Sequence, residues 1–400
     1  MAKHREPFSA LPTADRPEVL GRLRSLSRFL ARALRISGAH TVDFYTQDVW
    51  GQLVGGRDAA VSPDSVLAAF RGQGQRQASP AKTWDGDEFS SIFSEETQKL
   101  VNLETFLDAA KDLSLPNLGI CTSLKQLIGV LRGLEPEKMA KEMKTNEFMN
   151  NKKSHEVLVM SQLVDCLANY CGIKQDSVLV GLHTCGDLAP TTLRLFAAKP
   201  EIKAMCSVGC CYHLLSEEFE STAEESAQES WGFPMCQYLR EEAWCCGRNA
   251  RMSACLALER VAISQGLPTE SLFYRAVLQV IIQECYGVTK SDGHVGKIFS
   301  KSSCFLDYVR KSLKKLGLDE SKLPDSCIMD YYEKYRLRMN ELEAFNMLKV
   351  VLAPCIETLI LLDRLCYLRE QDTIAWSGVV QLFDPVKSPR CYAIIAVKKW

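Results

Sequence analysis

Apolar residues at spacings of three and four mark the first part of the chain as helical. Leu20, Leu23, Leu26, Leu30 and Leu34 form one apolar face of a helix. The same period returns in TFLDAAKDL, in SLKQLIGVLRGL and in HEVLVMSQLVDCLANYCG, which ends at a glycine suited to a helix C-terminus. The pattern therefore predicts a helical N-terminal domain over residues 1–150.

After residue 172 the period changes to that of an α/β domain. Residues 177–182 and 203–210 read as short apolar strands, and residues 188–198 between them read as a helix, which predicts parallel βαβ pairing. GVVQLF and CYAIIAVKK, joined by DPVKSPR, predict a C-terminal antiparallel hairpin. We expect a second domain over 151–400, with a helical insertion at about 214–345.

The most apolar stretch, residues 347–368, carries Lys349, Glu357, Asp363 and Arg364, which favours a core helix over a membrane span. Pro354 within it is expected to kink or break the helix. The acidic segment of residues 217–229 is expected to be solvated. Arg310 and Lys311 belong to a basic helix, which is only a mild indication of RNA binding.

Composition narrows the possible partners and the compartment. The 400 residues carry a net charge of −1, so nothing global indicates DNA or an anionic membrane. The N-terminus lacks the apolar region of an export signal. The odd count of 17 cysteines favours reduced thiols in the cytoplasm or nucleus over a disulfide framework.

Two Cys/His corners follow the two predicted strands, where ligands of parallel sheets bind. The residues are His183, Cys185, Gly186 and Asp187 at the first corner, and Cys210, Cys211, Tyr212 and His213 at the second. The corners predict a ligand cleft, although Asp187 alone is better explained as the cap of the following helix. Zinc is the sharper alternative. We predict no metal ligands, because the spacing fits no closed zinc module and adjacent cysteines of a strand point to opposite faces.

Other signals of nucleotide chemistry are weak. The pair Gly72 and Gly74 lacks the third glycine and the preceding strand of a dinucleotide fingerprint, and no P-loop is present. Lys152, Lys153, His155 and Glu156 open one helix, where charges usually form a solvated face and sometimes a site.

Several longer motifs together are more specific than any one of them: GLHTCGDLAPTTLRLF, SVGCCYHLLSEEF, RMSACLALER, LAPCIETLILLDRLCYL and DPVKSPRCYAIIA. In these motifs the chain resembles a class I methyltransferase-like family with an H-x-C-G-D-L corner, over nearly its whole length. It is more distantly similar to tRNA 2′-O-methyltransferases. The resemblance implies S-adenosylmethionine as cofactor and an acceptor that is RNA or protein. It also implies an antiparallel strand inserted at the C-terminal sheet edge.

The resemblance also assigns roles to the corners, which would end the fourth and fifth strands of the family sheet. The implied catalytic residues are His183, Asp187 and His213, with one of the two histidines as the base. The implied cofactor side comprises Lys153, His155, Glu156, Cys185 and Gly186. Cys210, Cys211 and Tyr212 would line the substrate cleft.

The chain departs from the family at one point. GIKQ, residues 172–175, runs directly into DSVLVGLHTCGDL, whereas the family has three strands and a glycine-rich cofactor loop between them. The fold class expected is therefore α/β, with an incomplete Rossmann-like class I methyltransferase sheet. We expect a shortened S-adenosylmethionine-dependent methyltransferase with impaired activity or, alternatively, a non-catalytic protein- or RNA-binding module.

Overall fold

The computed structural model describes most of the chain, namely residues 15–55, 60–72, 84, 88–132, 150–172, 177–220, 230–256, 269–288, 295 and 298–399. Outside the described residues lie the Gly- and Gln-rich linker candidate at 73–83 and 85–87, most of the acidic segment at 221–229, and the last three residues of GIKQ at 173–175.

Five strands form one mixed sheet in the order β1-β4-β5-β3-β2. They are β1 (Cys121–Ser123), β2 (Ser177–Cys185), β3 (Ile202–Cys210), β4 (Ile374–Gln381) and β5 (Tyr392–Lys398). β2 pairs with β3 and β1 with β4 in parallel, while β5 is antiparallel to both β3 and β4. The expected fold class, a partial Rossmann-like sheet, is confirmed.

The predicted βαβ unit is present, and its first strand is longer than expected. β2 continues through His183 to Cys185, so the first corner begins inside the strand. Helix α7 (Leu188–Ala198) connects it to β3, and Cys185 lies opposite Cys210 in the register. The predicted hairpin is confirmed as β4 and β5, with β5 inserted between β3 and β4.

The shortest strand was not predicted. β1 lies in LGICTS, within the range assigned to the helical N-terminal domain, and joins the sheet beside β4. Three residues are too few to show a strand period, so only the tertiary pairing reveals it. One hydrophobic cluster includes residues from both predicted domains, such as Leu26 and Ile395. The division at residue 150 and the insertion at 214–345 stay predictions.

The remaining helices pack on the sheet or on one another. In chain order the helices besides α7 are α1 (Arg16–Gly38), α2 (Val49–Leu53), α3 (Pro63–Gly72), α4 (Leu103–Asp112), α5 (Leu124–Arg132), α6 (Asn151–Tyr170), α8 (Gln237–Glu241), α9 (Arg248–Ser253), α10 (Thr269–Tyr286), α11 (Phe305–Leu316), α12 (Asp325–Arg336) and α13 (Met339–Arg369). On the predicted leucine face of α1, Leu23, Leu26 and Leu30 are buried and Leu20 and Leu34 are partly buried. Helix α6 is followed by Gly172 at a φ of +55°.

Helix α13 is central to the core. It runs unbroken through Pro354, so the predicted break is wrong; Thr358 Oγ1 donates to the Pro354 carbonyl one turn on. Among the described residues it is the one helix long and apolar enough to cross a membrane. However, 83% of its most apolar window is buried inside the protein, as a core helix requires.

The prediction of a solvated acidic segment is wrong for its first residue. Glu217 is buried and its Oε2 lies 3.1 Å from Nε of Arg251, which is also buried. Glu217 also accepts hydrogen bonds from the backbone N–H groups of Cys246 and Gly247. A buried carboxylate requires such partners, and the sequence pattern did not reveal them.

Candidate functional site

A bulge in β2 turns the first corner outward. The register with β3 shifts between Gly181 and Thr184, so an extra residue is accommodated there. A Cβ on Gly181 would lie 2.4 Å from Cγ2 of Thr184, which explains the glycine. Beyond the bulge His183 and Cys185 are exposed, whereas Thr184 between them is buried. His183 and Cys185 are therefore accessible from solvent.

Glu156 joins three elements beneath His183. It lies in the first turns of α6, whose N-terminus is capped by the side chain of Asn150. Its Oε1 accepts from Ser388 Oγ at 2.5 Å, and its Oε2 is 3.3 Å from Nε2 of His183. Lys152 Nζ lies 3.5 Å from Oε1. Glu156 is buried, so the alternative of a purely solvated face is wrong for this residue.

The other two α6 residues assigned to the cofactor side, Lys153 and His155, lie apart from that carboxylate contact. Lys153 is exposed in the first turn of α6. His155 packs on the ring of Phe383, and its Nε2 accepts a hydrogen bond from the backbone N–H of Asp384 at 3.2 Å. His155 thus holds the β4–β5 connection against α6, and its role toward a cofactor stays a prediction.

Gly186 and Asp187 form the turn from β2 into α7. Gly186 has a φ of +49°, and a Cβ there would lie 2.6 Å from the carbonyl oxygen of Leu214. Asp187 occupies the N-cap position, but its side chain makes no capping hydrogen bond. Its Oδ1 accepts instead from the backbone N–H of Ser216 at 2.8 Å, so the prediction of a capping side chain is wrong. The two residues join the two corners.

Three thiols converge where β2 and β3 end. Cys185 Sγ lies 2.9 Å from Cys210 Sγ, and Cys211 has a φ of +50°, which ends β3. As a result the three sulfurs all lie within 4.8 Å of one another. The expectation that Cys210 and Cys211 point to opposite faces is wrong, because the left-handed backbone at Cys211 redirects its side chain. Desolvation, followed by hydrogen bonding with Cys185, raises the pKa of both Cys210 and Cys211.

Tyr212, predicted to line a substrate cleft, is buried in a polar network. Its hydroxyl donates to Glu357 Oε1 at 2.8 Å, and Arg390 Nη1 donates to the same oxygen at 2.9 Å. The guanidinium groups of Arg364 and Arg390 lie over the tyrosine ring. Burial and the Glu357 charge raise the pKa of Tyr212 well above its usual value. The hydroxyl is therefore protonated and internally bonded.

His213, the second candidate base, lies half-buried beside another cysteine. Its Nδ1 is 3.8 Å from Sγ of Cys255, which follows α9 in the RMSAC segment. Cys255 is thus a fourth thiol at the second corner, in contact with His213. Cys255 belongs to the RMSACLALER motif, which the sequence pattern did not connect with the two corners.

A cavity of about 350 Å³ lies between α4, α13 and the start of β5. Leu107, Leu115, Val351 and Pro354 supply much of its apolar wall. Glu357 also lines it and therefore connects it to the Tyr212 network. Ser388 and Arg390 were not predicted as site residues, since DPVKSPR reads only as a connection in sequence. Glu357 was not predicted either, since its sequence indicates only a core helix.

Comparisons with known proteins agree with this architecture. A family model described as "Methyltransferase domain" matches residues 121–218, which span β1, β2, α7, β3 and both corners. The "Probable methyltransferase-like protein 25" of Homo sapiens is 43% identical over 597 aligned positions, covering 97% of this chain and 98% of that protein. Its Mus musculus counterpart is 41% identical over 589 positions, with the same shares covered. No solved structure matches the chain significantly.

The length of the alignment is itself informative. The chain has 400 residues, so at least 197 of the 597 aligned positions (597 less 400) have no residue of this chain opposite them. Both relatives are nevertheless covered almost from end to end. On identity and coverage together, the chain belongs to the family of methyltransferase-like protein 25.

Proposed function

We propose that this chain is a short form of an S-adenosylmethionine-dependent methyltransferase that keeps the acceptor half of the sheet and lacks the cofactor half. The observation that carries the proposal is the position of β2 at the end of the strand order. The resemblance implies that β2 corresponds to the fourth strand of the family sheet, which has further strands beside it. The aligned positions without a counterpart here are numerous enough to contain those strands.

The residues present do not fit the cofactor. A class I site needs a glycine-rich loop for the backbone to approach the cofactor and an acid for its ribose hydroxyls, on strands next to β2. Among the described residues no strand pairs with the outer edge of β2, and Val180 on that strand is 42% exposed. Gly186, assigned to the cofactor side, packs against Leu214. We therefore derive no transfer step for this chain and propose that its activity is impaired.

The acceptor side supports one chemical role in the complete family protein. His183 turns Nε2 toward Glu156, which leaves Nδ1 as the nitrogen able to take a proton from a hydroxyl acceptor. Glu156 would act as a positioning residue, since it is buried and fixed by Ser388. Asp187 would hold the corner through Ser216, and His213 is the second candidate base. RNA is the acceptor class that the distant similarity suggests.

Calorimetry with S-adenosylmethionine and with its demethylated product tests the proposal. The ligands are titrated into this chain and into a second chain that carries the missing segment of the human relative between Gln175 and Asp176. We expect saturable binding to the restored chain alone, with circular dichroism showing that both are folded. Stoichiometric binding to the short chain would refute the claimed impairment. Absence of binding to a folded restored chain would refute the proposal that the complete protein is an S-adenosylmethionine-dependent enzyme.

The role of His183 is tested in the restored chain with total RNA and total protein as acceptors. His183→Asn is expected to reduce the transfer rate by about 100-fold or more while leaving cofactor binding unchanged. His40→Asn is the matched control, because His40 also pairs with a carboxylate, Asp43 at 3.0 Å, and is similarly exposed, but does not belong to either corner. Equal rates for both variants would exclude His183 as the base.

A non-catalytic binding module is the second candidate, favoured by the half-open edge of β2. Strand edges bind partners by strand addition. The predicted basic RNA face is largely engaged within the protein, since Arg310 bonds Asp325 and Lys311 bonds Asp307. A protein partner is therefore the better version of this candidate.

All 17 cysteines lie in the described residues and none forms a disulfide, which supports a reducing compartment, the cytoplasm or the nucleus.

A further inference from the structure

The three converging thiols form a compact cluster with a defined origin in the fold. Cys185 ends β2, Cys210 ends β3, and the two are register partners. The turn after Cys185 is fixed by a hydrogen bond from the Gly186 N–H to the Cys210 carbonyl at 3.2 Å. Cys211 adds the third sulfur through its left-handed backbone. Rigid strands and a tight turn therefore hold all three ligand atoms.

Positive φ at Cys211 is costly for a residue with a side chain. The left-handed region is uncommon outside glycine, asparagine and aspartate, and it costs about 1–2 kcal/mol. Strain of this kind concentrates at functional sites, where the surrounding structure enforces it. Here its effect is specific, because it brings the Cys211 sulfur to within 4.8 Å of both other thiols.

The spacing of the sulfurs is close to that around a tetrahedral ion. Zinc–sulfur bonds of about 2.3 Å place two thiolates of a tetrahedral site about 3.8 Å apart. Cys185 and Cys210 at 2.9 Å would have to separate by about 0.9 Å, a side-chain rotation. Cys185 is exposed, so an ion can enter from solvent and its side chain can adjust.

A fourth thiol stands at the second corner. Cys255 Sγ lies 3.8 Å from Nδ1 of His213, two residues after Cys211, and the residue is only partly buried. It is not one of the three thiols that lie within 4.8 Å of one another, so its side chain would have to move to reach an ion there. Arg364 and Arg390 stack on the Tyr212 ring, and Arg390 Nη1 also donates to the Ala254 carbonyl beside Cys255.

We propose that Cys185, Cys210 and Cys211 bind a zinc ion, with Cys255 as the fourth ligand. Each thiol releases its proton to solvent as its sulfur coordinates the ion, and no electron is transferred. The ion would fasten the C-terminal end of the edge strand β2 to β3 just beyond the bulge. This inference does not depend on methyl transfer and goes beyond the proposed function.

Metal content and cobalt spectroscopy test the site on the full chain. The chain is stripped with a chelator, kept anaerobic with a thiol-free reductant, and loaded with zinc or Co²⁺. We expect about one zinc per chain and a thiolate-to-cobalt charge-transfer band in the near ultraviolet. Cys185→Ser should weaken zinc binding by about tenfold or more and reduce the band. Cys304→Ser is the matched control, since Cys304 is also exposed and lies before α11.

Three results would overturn the proposal. One is less than about one-tenth of a zinc per chain in the folded, reduced protein. Another is equal metal affinity in the Cys185→Ser and Cys304→Ser variants. The third is absence of zinc uptake together with a Cys185–Cys210 disulfide on air exposure, which would make the cluster a redox pair. Cys211→Ser provides an independent check should Cys185→Ser disturb the fold, and none of these readouts needs S-adenosylmethionine.

Discussion

Glu156 Oε2 lies 3.3 Å from His183 Nε2, although the two residues are 27 positions apart and belong to α6 and β2. The carboxylate is buried, whereas the histidine side chain is 44% exposed. Ser388, from the connection between β4 and β5, bonds the other carboxylate oxygen. The Glu156 side chain thus connects α6, the first helix of the predicted second domain, to β2 and to the β4–β5 connection. The exposed ring gains a fixed orientation from a buried partner.

Removing the charge of Glu156 should destabilise the fold. Glu156→Gln weakens the bonds to Ser388 and His183, and we expect the free energy of unfolding to fall by about 1–3 kcal/mol. Lys152→Gln, which alters the half-exposed partner of the same carboxylate, should change it by less than about 0.5 kcal/mol. Urea denaturation measures both. Equal losses of unfolding free energy in the two variants would mean that the contacts of Glu156 with Ser388 and His183 stabilise the fold no more than its contact with Lys152.

The turn at Gly186 should reject any side chain. Gly186→Ala combines a left-handed φ with a Cβ 2.6 Å from a backbone carbonyl oxygen that cannot rotate away. We expect a loss of about 2–5 kcal/mol. Gly172→Ala is the control, because its φ is +55° but no atom of the described residues, its chain neighbours aside, lies within 4 Å of the added Cβ. That variant should lose only about 1–2 kcal/mol. Similar denaturant midpoints would contradict the close approach to Leu214.

The adjacent acids Glu217 and Glu218 should differ sharply. Glu217→Ala removes the fully buried one of two carboxylates that pair with the guanidinium of Arg251 at 3.1 Å and leaves it with the partly exposed Glu220, at an expected cost of about 3–5 kcal/mol. Glu218→Ala breaks only a surface pair with Arg240, and we expect less than about 1 kcal/mol. Thermal melts of the two variants decide the matter. A tolerant Glu217→Ala protein would mean that Arg251 is satisfied without that carboxylate.

Lys349 should make stability rise with pH in the alkaline range. Burial lowers the pKa of its ammonium group from 10.5 to about 8, and Nζ donates to the Ala39 carbonyl. Between these values the unfolded chain binds the additional proton, so the free energy of unfolding increases with pH. The increase relative to Lys349→Met should reach about 3 kcal/mol by pH 10 or above, and it should be lost as pH falls through 8. Urea denaturation from pH 7 to 10 checks it. Parallel pH profiles for the two proteins would be inconsistent with a buried amine.

The outer edge of β2 should promote self-association. Val180 is 42% exposed on a strand that is last in the described sheet, and such edges pair with other chains. We expect Val180→Lys to shift sedimentation velocity toward the monomer without loss of stability. Val101→Lys, at a loop residue 40% exposed, should leave the distribution unchanged. The edge is protected if the wild type is already monomeric at all concentrations.

Elements that depend on residues close together in sequence were predicted, whereas elements that depend on contacts between distant residues were missed. The strands β2 and β3 and the helix between them were predicted because each contains a continuous local pattern of apolar residues. The strand β1 has three residues and was missed, since its only evidence is the pairing with β4. The continuity of α13 through Pro354 was also missed, because packing on all sides outweighs the lost hydrogen bond of a proline.

The candidate site shows the same division. Sequence alone determined which chemistry is available, because His183, Cys185, Cys210 and Cys211 stand at strand ends whatever their surroundings. Only the tertiary structure decided that Glu156 supports the histidine and that a left-handed backbone gathers the thiols. The physical reason is that a periodic pattern records which face of an element is buried. Contacts between residues far apart in sequence depend instead on how the elements pack, and no local pattern records that packing.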